Sequence, residues 1–158
     1  MQIAILGGTG DLGGGLALRL AHDTDHEIAI GSRDPDRANE AANAYRRTLE
    51  DSGSSGRIDG GENADVAAGA DVVLVAVPAS YLASAIESVA DRLNDDAILV
   101  TPANGIDAHA DGFAAVKPEA GSLTAVAAAA APASNPVVGA FHTLAAGRLL
   151  VRASRTTA

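Results

Sequence analysis

Short apolar runs alternate with helically spaced stretches along nearly the whole chain, and the alternation predicts its elements one after another. Gln2 to Leu6 is an apolar run ended by a glycine cluster. Leu12, Leu16 and Leu20 then recur at helical spacing, which reads as strand, tight loop and helix. Glu27 to Ile30 is a second short strand ending at Gly31. Asp34-Pro35 has the form of a helix start, Asp as N-cap and Pro in the first position, and the helix runs to about Leu49.

The Ser/Gly-rich stretch Asp51 to Gly56 is a loop, and Arg57-Ile58-Asp59 reads as a short strand ahead of Glu62 to Ala68. Asp71 to Val77 is a continuous β-branched run closed by Pro78, the signature of a central strand buried on both faces, and Ala79 to Leu93 reads as helix. Ala97 to Val100 is another strand. A looser stretch from Asn104 to Pro118 leads to an Ala-rich helix at Ser122 to Ala131, and Val137 to Phe141 is the last strand. Right-handed crossovers turn six such alternations into one α/β domain. The expected fold is a Rossmann-type doubly wound parallel sheet in the order 3-2-1-4-5-6, spanning residues 1–148, with an atypical basic tail at 149–158.

Composition narrows the partners. The formal charge of -9 argues against nucleic acid, which proteins bind chiefly by neutralising phosphates. Fourteen Asp against six Glu, and ten Arg against the single Lys117, resemble the surfaces of proteins from salt-loving archaea, although a GC-rich genome alone favours the same residues. The absence of cysteine excludes disulfides, Cys-type zinc sites and thiol nucleophiles, and the four scattered histidines are expected to form no metal site. With no run of eighteen apolar residues and no signal-peptide pattern at Met1-Gln2-Ile3-Ala4-Ile5, a cytoplasmic protein without a membrane partner is expected.

Gly8-Thr9-Gly10-Asp11-Leu12-Gly13 fits G-x-G-x-x-G and lies where that motif works, after the first strand and at the opening of the first helix. Gly8 is expected to allow the tight turn, Gly10 to let the backbone approach a pyrophosphate, and Gly13 to let helix and strand pack closely. The end of the second strand selects the dinucleotide. An NAD site would place Asp or Glu there, whereas this chain has Gly31-Ser32-Arg33 with Arg37 one turn further on. A hydroxyl and two guanidinium groups favour the 2′-phosphate of NADP, with Asp34 and Asp36 as the competing ion-pair partners.

No acid/base pair for carbonyl reduction is visible. Lys117 follows Phe113 rather than Tyr by four residues, Tyr45 and Tyr81 are followed at that distance by Leu49 and Ala85, and no G-x-S-x-G elbow occurs. The remaining polar cluster is Phe141 to Arg148, FHTLAAGR, just past the last strand, where the carboxyl ends of a parallel sheet form a binding crevice.

The opening MQIAILGGTGDLGGGLALRLA, the GSR after the second strand, the loop ending in Gly112-Phe113 and the HTLAAGR segment together resemble the archaeal F420H2:NADP oxidoreductases, from Met1 to about Arg148. The resemblance implies hydride transfer between reduced coenzyme F420, a deazaflavin, and NADP, two small-molecule redox carriers whose reaction needs no protein nucleophile. It implies that Thr9 to Leu12 hold the pyrophosphate and that Ser32, Arg33 and Arg37 hold the 2′-phosphate. Val77, Pro78 and Ala146 would lie on the ribose and nicotinamide side, and His142, Leu144 and Ala146 would line the deazaflavin, facing the nicotinamide pocket.

Asp11 stands where these enzymes often have Asn, and a carboxylate there weakens pyrophosphate binding unless it points away; Ala145 stands where Pro is common. A homodimer is also implied. Two other readings remain: a related NADPH-dependent reductase with a ferric or imine acceptor, and a non-catalytic NADPH-binding module. Residues 120–158 hold no acid and three bases, so the ending departs from the acidic character before it. That departure suggests a shortened chain whose deazaflavin crevice lacks its cover.

Overall fold

The computed structural model describes residues 1–109, 112–115 and 117–149. The alternation that begins the chain is carried through to burial. In β1 (Gln2–Leu6), Ile3 and Ile5 face one side of the sheet and Ala4 and Leu6 the other, and all four are buried. A strand with both faces covered needs apolar residues at every position, which is why its sequence is a run and not an alternation.

Helices α1 (Asp11–Asp23) and α2 (Pro35–Asp51) cover the first face through Leu16, Leu18, Ala42 and Leu49. Helices α3 (Asn63–Ala67), α4 (Leu82–Glu87) and α5 (Leu123–Ala130) cover the second through Val66, Leu82, Ile86 and Ala127. Each Ile or Leu side chain taken fully out of water contributes about 2 kcal/mol before the entropy of ordering it is subtracted. The start of α2 forms as its sequence indicates, with Asp34 Oδ1 accepting from the backbone N–H of Asp36 and Arg37 at 3.1 and 3.3 Å and Pro35 in the first position.

The strands that join β1 are β2 (Glu27–Ser32), β3 (Ile58–Glu62), β4 (Val72–Val75), β5 (Ile98–Thr101) and β8 (Val137–Gly139). They form one sheet in the order β3-β2-β1-β4-β5-β8, parallel at every pairing, with Ile3 opposite both Ile28 and Val72. Counted within the sheet this is the order 3-2-1-4-5-6. Successive strands leave β1 toward one edge through β2 and toward the other through β4, so the loops at their carboxyl ends diverge and open a crevice between them. At the opposite end of the sheet, buried Asn135 donates through Nδ2 to the carbonyls of Asn94 (2.8 Å) and Ala97 (3.0 Å), tying the approach to β8 to the start of β5.

Five sequence-based expectations require correction. The looser stretch between β5 and α5 contains an antiparallel hairpin, β6 (Ile106–His109) with β7 (Gly112–Ala115), which joins no other strand among the described residues. All of β7 is exposed, Phe113 at 82%, so that strand has no buried face to give it a readable period. Strand β4 stops at Val75, not Val77, because the chain turns away over the glycine loop ahead of Pro78, which has no N–H for a ladder.

The single helix expected over Ala79 to Leu93 is a 3₁₀ turn (Ala79–Tyr81), the short α4 and a second turn (Ala90–Arg92). Ser84 and Ser88 bond back to the carbonyls of Tyr81 and Ala85, an alternative to continuous helix that serine offers its own backbone. Strand β8 ends at Gly139, two residues early, because Phe141 takes a left-handed turn at φ +66°. Leu149, assigned by sequence to the tail, is buried in the core beside α1, while Val151 to Ala158 lie outside the described residues. Among the described residues no helix is long and apolar enough to cross a membrane.

Candidate functional site

The loop from β1 to α1 is built on glycines whose duties differ from those assigned by the motif. The tight turn belongs to Gly7, not Gly8: Gly7 has φ +78°, and a Cβ there would stand 2.5 Å from the Ala76 carbonyl oxygen. Gly8 is instead buried against Ile30 of β2. Gly13 lets α1 approach the loop as expected, a Cβ there standing 2.5 Å from the Gly7 oxygen. Gly10 is the exposed N-cap of α1 and has no side chain to cap it, so the first-turn N–H groups and the positive end of the helix dipole are left to meet an anion.

Above this loop lies a cleft of about 560 Å³. It brings together Thr9, Gly10, Ser32, Arg33, Arg37, Val77 and Pro78 from three loops that are far apart in sequence. Ser32 ends β2 and is half-buried, and its Oγ accepts from the Asp34 N–H at 3.2 Å. Arg33 and Arg37 are exposed, and among the described residues neither enters an ion pair. The carboxylate of Asp34 is occupied in capping α2, so its nearness to the arginines in sequence does not make it their partner. Two uncompensated guanidinium groups and a hydroxyl beside an uncapped helix start make a corner suited to a phosphate.

Gly8, Leu12 and Gly13 stay out of the cleft, Leu12 packing against the core under it. Asp11 is exposed on the first turn of α1 and is likewise outside the cleft lining. Its charge acts on Tyr45 of α2. Burial first, and the Asp11 carboxylate second, push the Tyr45 phenol above its ordinary value of 10.0. Tyr45 reaches across Gly14, where any side chain would collide with its hydroxyl, and donates to the Gly8 carbonyl at 3.1 Å. The ring thus braces the glycine loop from behind.

The raised phenol has a consequence in alkali. Above pH 10 the unfolded chain loses a proton that the folded chain keeps, so stability present below that pH falls as pH rises toward the folded-state value. Tyr45→Phe is expected to cost about 1 kcal/mol at neutral pH through the lost hydrogen bond, and to remove its share of the alkaline decline. Urea titrations at pH 7 and between pH 9.5 and pH 11 on about half-unit steps read both effects, and parallel alkaline slopes for the two proteins would count against the assignment.

Several cleft residues escape sequence reasoning: Gly7, Asn63, Tyr81, Ser84 and Ser88 among them. Asn63 opens α3, and its Oδ1 is buried with no hydrogen-bond partner, packed where a Cβ on Gly31 would stand 2.5 Å away. An orphaned amide oxygen at the edge of a cleft is the kind of group that a ligand satisfies. Asn63 stands between Glu62 and Asp65 at the junction of a poorly patterned strand and a short helix, so nothing in the local sequence singles it out.

The late segment is placed apart from this cleft. His142 is half-buried and lines a second cavity of about 280 Å³ with Asn104, Lys117, Ser122 and Thr124, beyond the carboxyl ends of β5 and β8. Asn104 Nδ2 donates to the His142 carbonyl at 2.8 Å and holds that turn. Leu144 is 42% exposed, and Ala146 begins a 3₁₀ turn (Ala146–Arg148) that packs on α1; neither lines either cavity.

Comparison with known proteins gives the family of the chain. Residues 2–105, from β1 to just past β5, match the family model described as NADP oxidoreductase, coenzyme F420-dependent. The F420-dependent NADP reductase of Methanocaldococcus jannaschii is 46% identical over 93 residues, 59% of this chain and 41% of that protein. The one from Methanothermobacter thermautotrophicus is 41% identical over 100 residues, 63% of this chain and again 41% of its own length. The matches thus span about two fifths of these curated relatives. Among solved structures, a candidate F420-dependent NADP reductase from Arthrobacter sp. FB24 superposes with a TM-score of 0.73 at 31% identity, covering 93% of this chain and 64% of that one. With the family match running through the glycine loop, the arginine corner and five of the six strands of the sheet, the chain belongs to the coenzyme F420-dependent NADP oxidoreductases.

Proposed function

We propose that the chain binds NADP(H) in the cleft above the glycine loop and passes hydride between it and coenzyme F420. The observation that carries the reading is the corner made by Ser32, Arg33 and Arg37, two guanidinium groups without a described ion-pair partner in a chain of net charge -9. The uncapped start of α1 with Thr9 and Gly10 would receive the pyrophosphate, and Asn63 offers a buried acceptor beside it. Val77 and Pro78, at the carboxyl end of β4, would hold the ribose and nicotinamide side.

The nicotinamide and the deazaflavin supply the hydride chemistry themselves when bound. The chain has to orient two flat rings at reacting distance and keep water from between them. His142 and the cavity it shares with Asn104 and Lys117 are assigned to the deazaflavin side; Leu144 and Ala146 follow on the same late segment but line neither cavity. Residues 1–148 act here as the NADP-binding Rossmann domain. The reading carries with it a cytoplasmic setting and a homodimer, for which the exposed Phe113 and Ile106 of the hairpin offer apolar surface.

Mixing reduced F420 with NADP and the chain under anaerobic conditions in high salt tests the reading directly. Return of the oxidised deazaflavin absorbance, dependent on the chain and on NADP in preference to NAD, is the expected result. Tight NADPH binding with no change in that band would leave a nucleotide-binding module in place of the reductase.

A further inference from the structure

On the reading that the cleft takes NADP(H), we propose that Tyr81 is a positioning residue for Arg33 and through it a determinant of NADPH over NADH. The Arg33 guanidinium stands over the Tyr81 ring, its carbon 5.7 Å from the ring centre, within the distance at which an aromatic face attracts a cation. Arg33 enters from the end of β2 and Tyr81 from the turn after β4. The contact therefore bridges the two loops that wall the cleft, and both side chains line it.

The backbone that carries the ring is held at both of its polar groups. Tyr81 N–H donates to the Pro78 carbonyl at 2.9 Å, and Ser84 Oγ donates to the Tyr81 carbonyl at 3.1 Å. Tyr81 is 54% exposed, although it is one of only four aromatic residues in the chain. Burial in the core therefore does not account for an aromatic residue at this position, whereas the arginine above it does.

An exposed arginine samples many rotamers, and a ligand that orders it loses affinity to that entropy. A carboxylate would hold the guanidinium more strongly but would also place a negative charge beside the incoming phosphate dianion. A tyrosine ring restrains the guanidinium while leaving its positive charge uncompensated. In a chain with twenty acidic residues, an uncharged support is the one that preserves a phosphate site.

Calorimetric titration of the full chain with NADPH, NADH and adenosine 2′,5′-bisphosphate tests this in the wild type, Tyr81→Phe, Tyr81→Leu, Arg33→Ala and the Arg33→Ala/Tyr81→Leu double variant. Tyr81→Leu is expected to weaken NADPH and the bisphosphate by about two- to fivefold and to leave NADH unchanged, the scale of an exposed cation–π contact. Tyr81→Phe keeps the ring and should keep the preference. In the Arg33→Ala background the Tyr81→Leu change should cost nothing further, a coupling that a merely structural role would not produce.

Equal losses for NADPH and NADH that persist without Arg33 would mean that the ring stacks on the adenine, and would overturn the proposal. An unchanged preference in Tyr81→Leu would overturn it as well, with the cofactor reading intact. A wild-type chain that binds NADPH no better than NADH would overturn the cofactor reading and this proposal together.

Discussion

Arg33→Ala is expected to weaken NADPH binding by about tenfold to a hundredfold while NADH binding changes by less than about twofold, since hydrogen bonds to a charged partner contribute about 1.5–3 kcal/mol. Only NADPH offers the 2′-phosphate, so the whole difference should fall on that cofactor. Arg33 has no described carboxylate partner to lose, and its removal leaves no buried charge stranded. Folding should therefore be untouched, and a thermal melt of the variant checks that independently. The corner is open to solvent, so the loss should shrink as salt is raised and screens the pair. Equal losses for the two cofactors would show that the arginine does not meet the 2′-phosphate.

The second large effect separates two glycines that the motif treats alike. A Cβ at Gly13 would lie 2.5 Å from the Gly7 oxygen and 3.0 Å from the Gly8 Cα, both backbone atoms of a loop packed between β1 and β2. Gly13→Val is thus expected to destabilise the fold by about 3 kcal/mol or more, the upper range for overpacking, because there is no flexible side chain to yield. At Gly10 the nearest atom to a Cβ is 3.4 Å away, the residue is exposed, and serine is a good N-cap. Gly10→Ser should accordingly melt within a few degrees of wild type, yet lose NADPH affinity by filling the space at the helix start. Chemical denaturation of both variants beside NADPH titration resolves the two cases, and a Gly13→Val protein of wild-type stability would refute the packing argument.

The sequence alone made the sheet order legible, because a strand covered on both faces must be written as a continuous apolar run and a parallel connection must cross over in one hand. Gln2–Leu6 and Val72–Val75 are such strands, and the Asp34-Pro35 start of α2 was readable because its capping chemistry is local. The hairpin of β6 and β7 was not readable, since β7 is exposed throughout and has no buried face to impose a period. Nor was the broken helix after Pro78, where serine hydroxyls compete with the helical ladder.

The same boundary runs through the candidate site. Residue type and position after β2 were enough to single out Ser32, Arg33 and Arg37, since the chemistry of a 2′-phosphate is carried by contiguous residues at one strand end. Which glycine takes the left-handed turn, where the charge of Asp11 acts, and which residues face these groups from elsewhere were decided only by the tertiary structure. Gly7 meets Ala76, Gly8 meets Tyr45, Gly31 meets Asn63 and Arg33 meets Tyr81. Each of these pairs joins residues more than thirty positions apart, and no local pattern encodes them, because they arise only when β1, β2 and β4 are brought side by side and their loops share one end of the sheet.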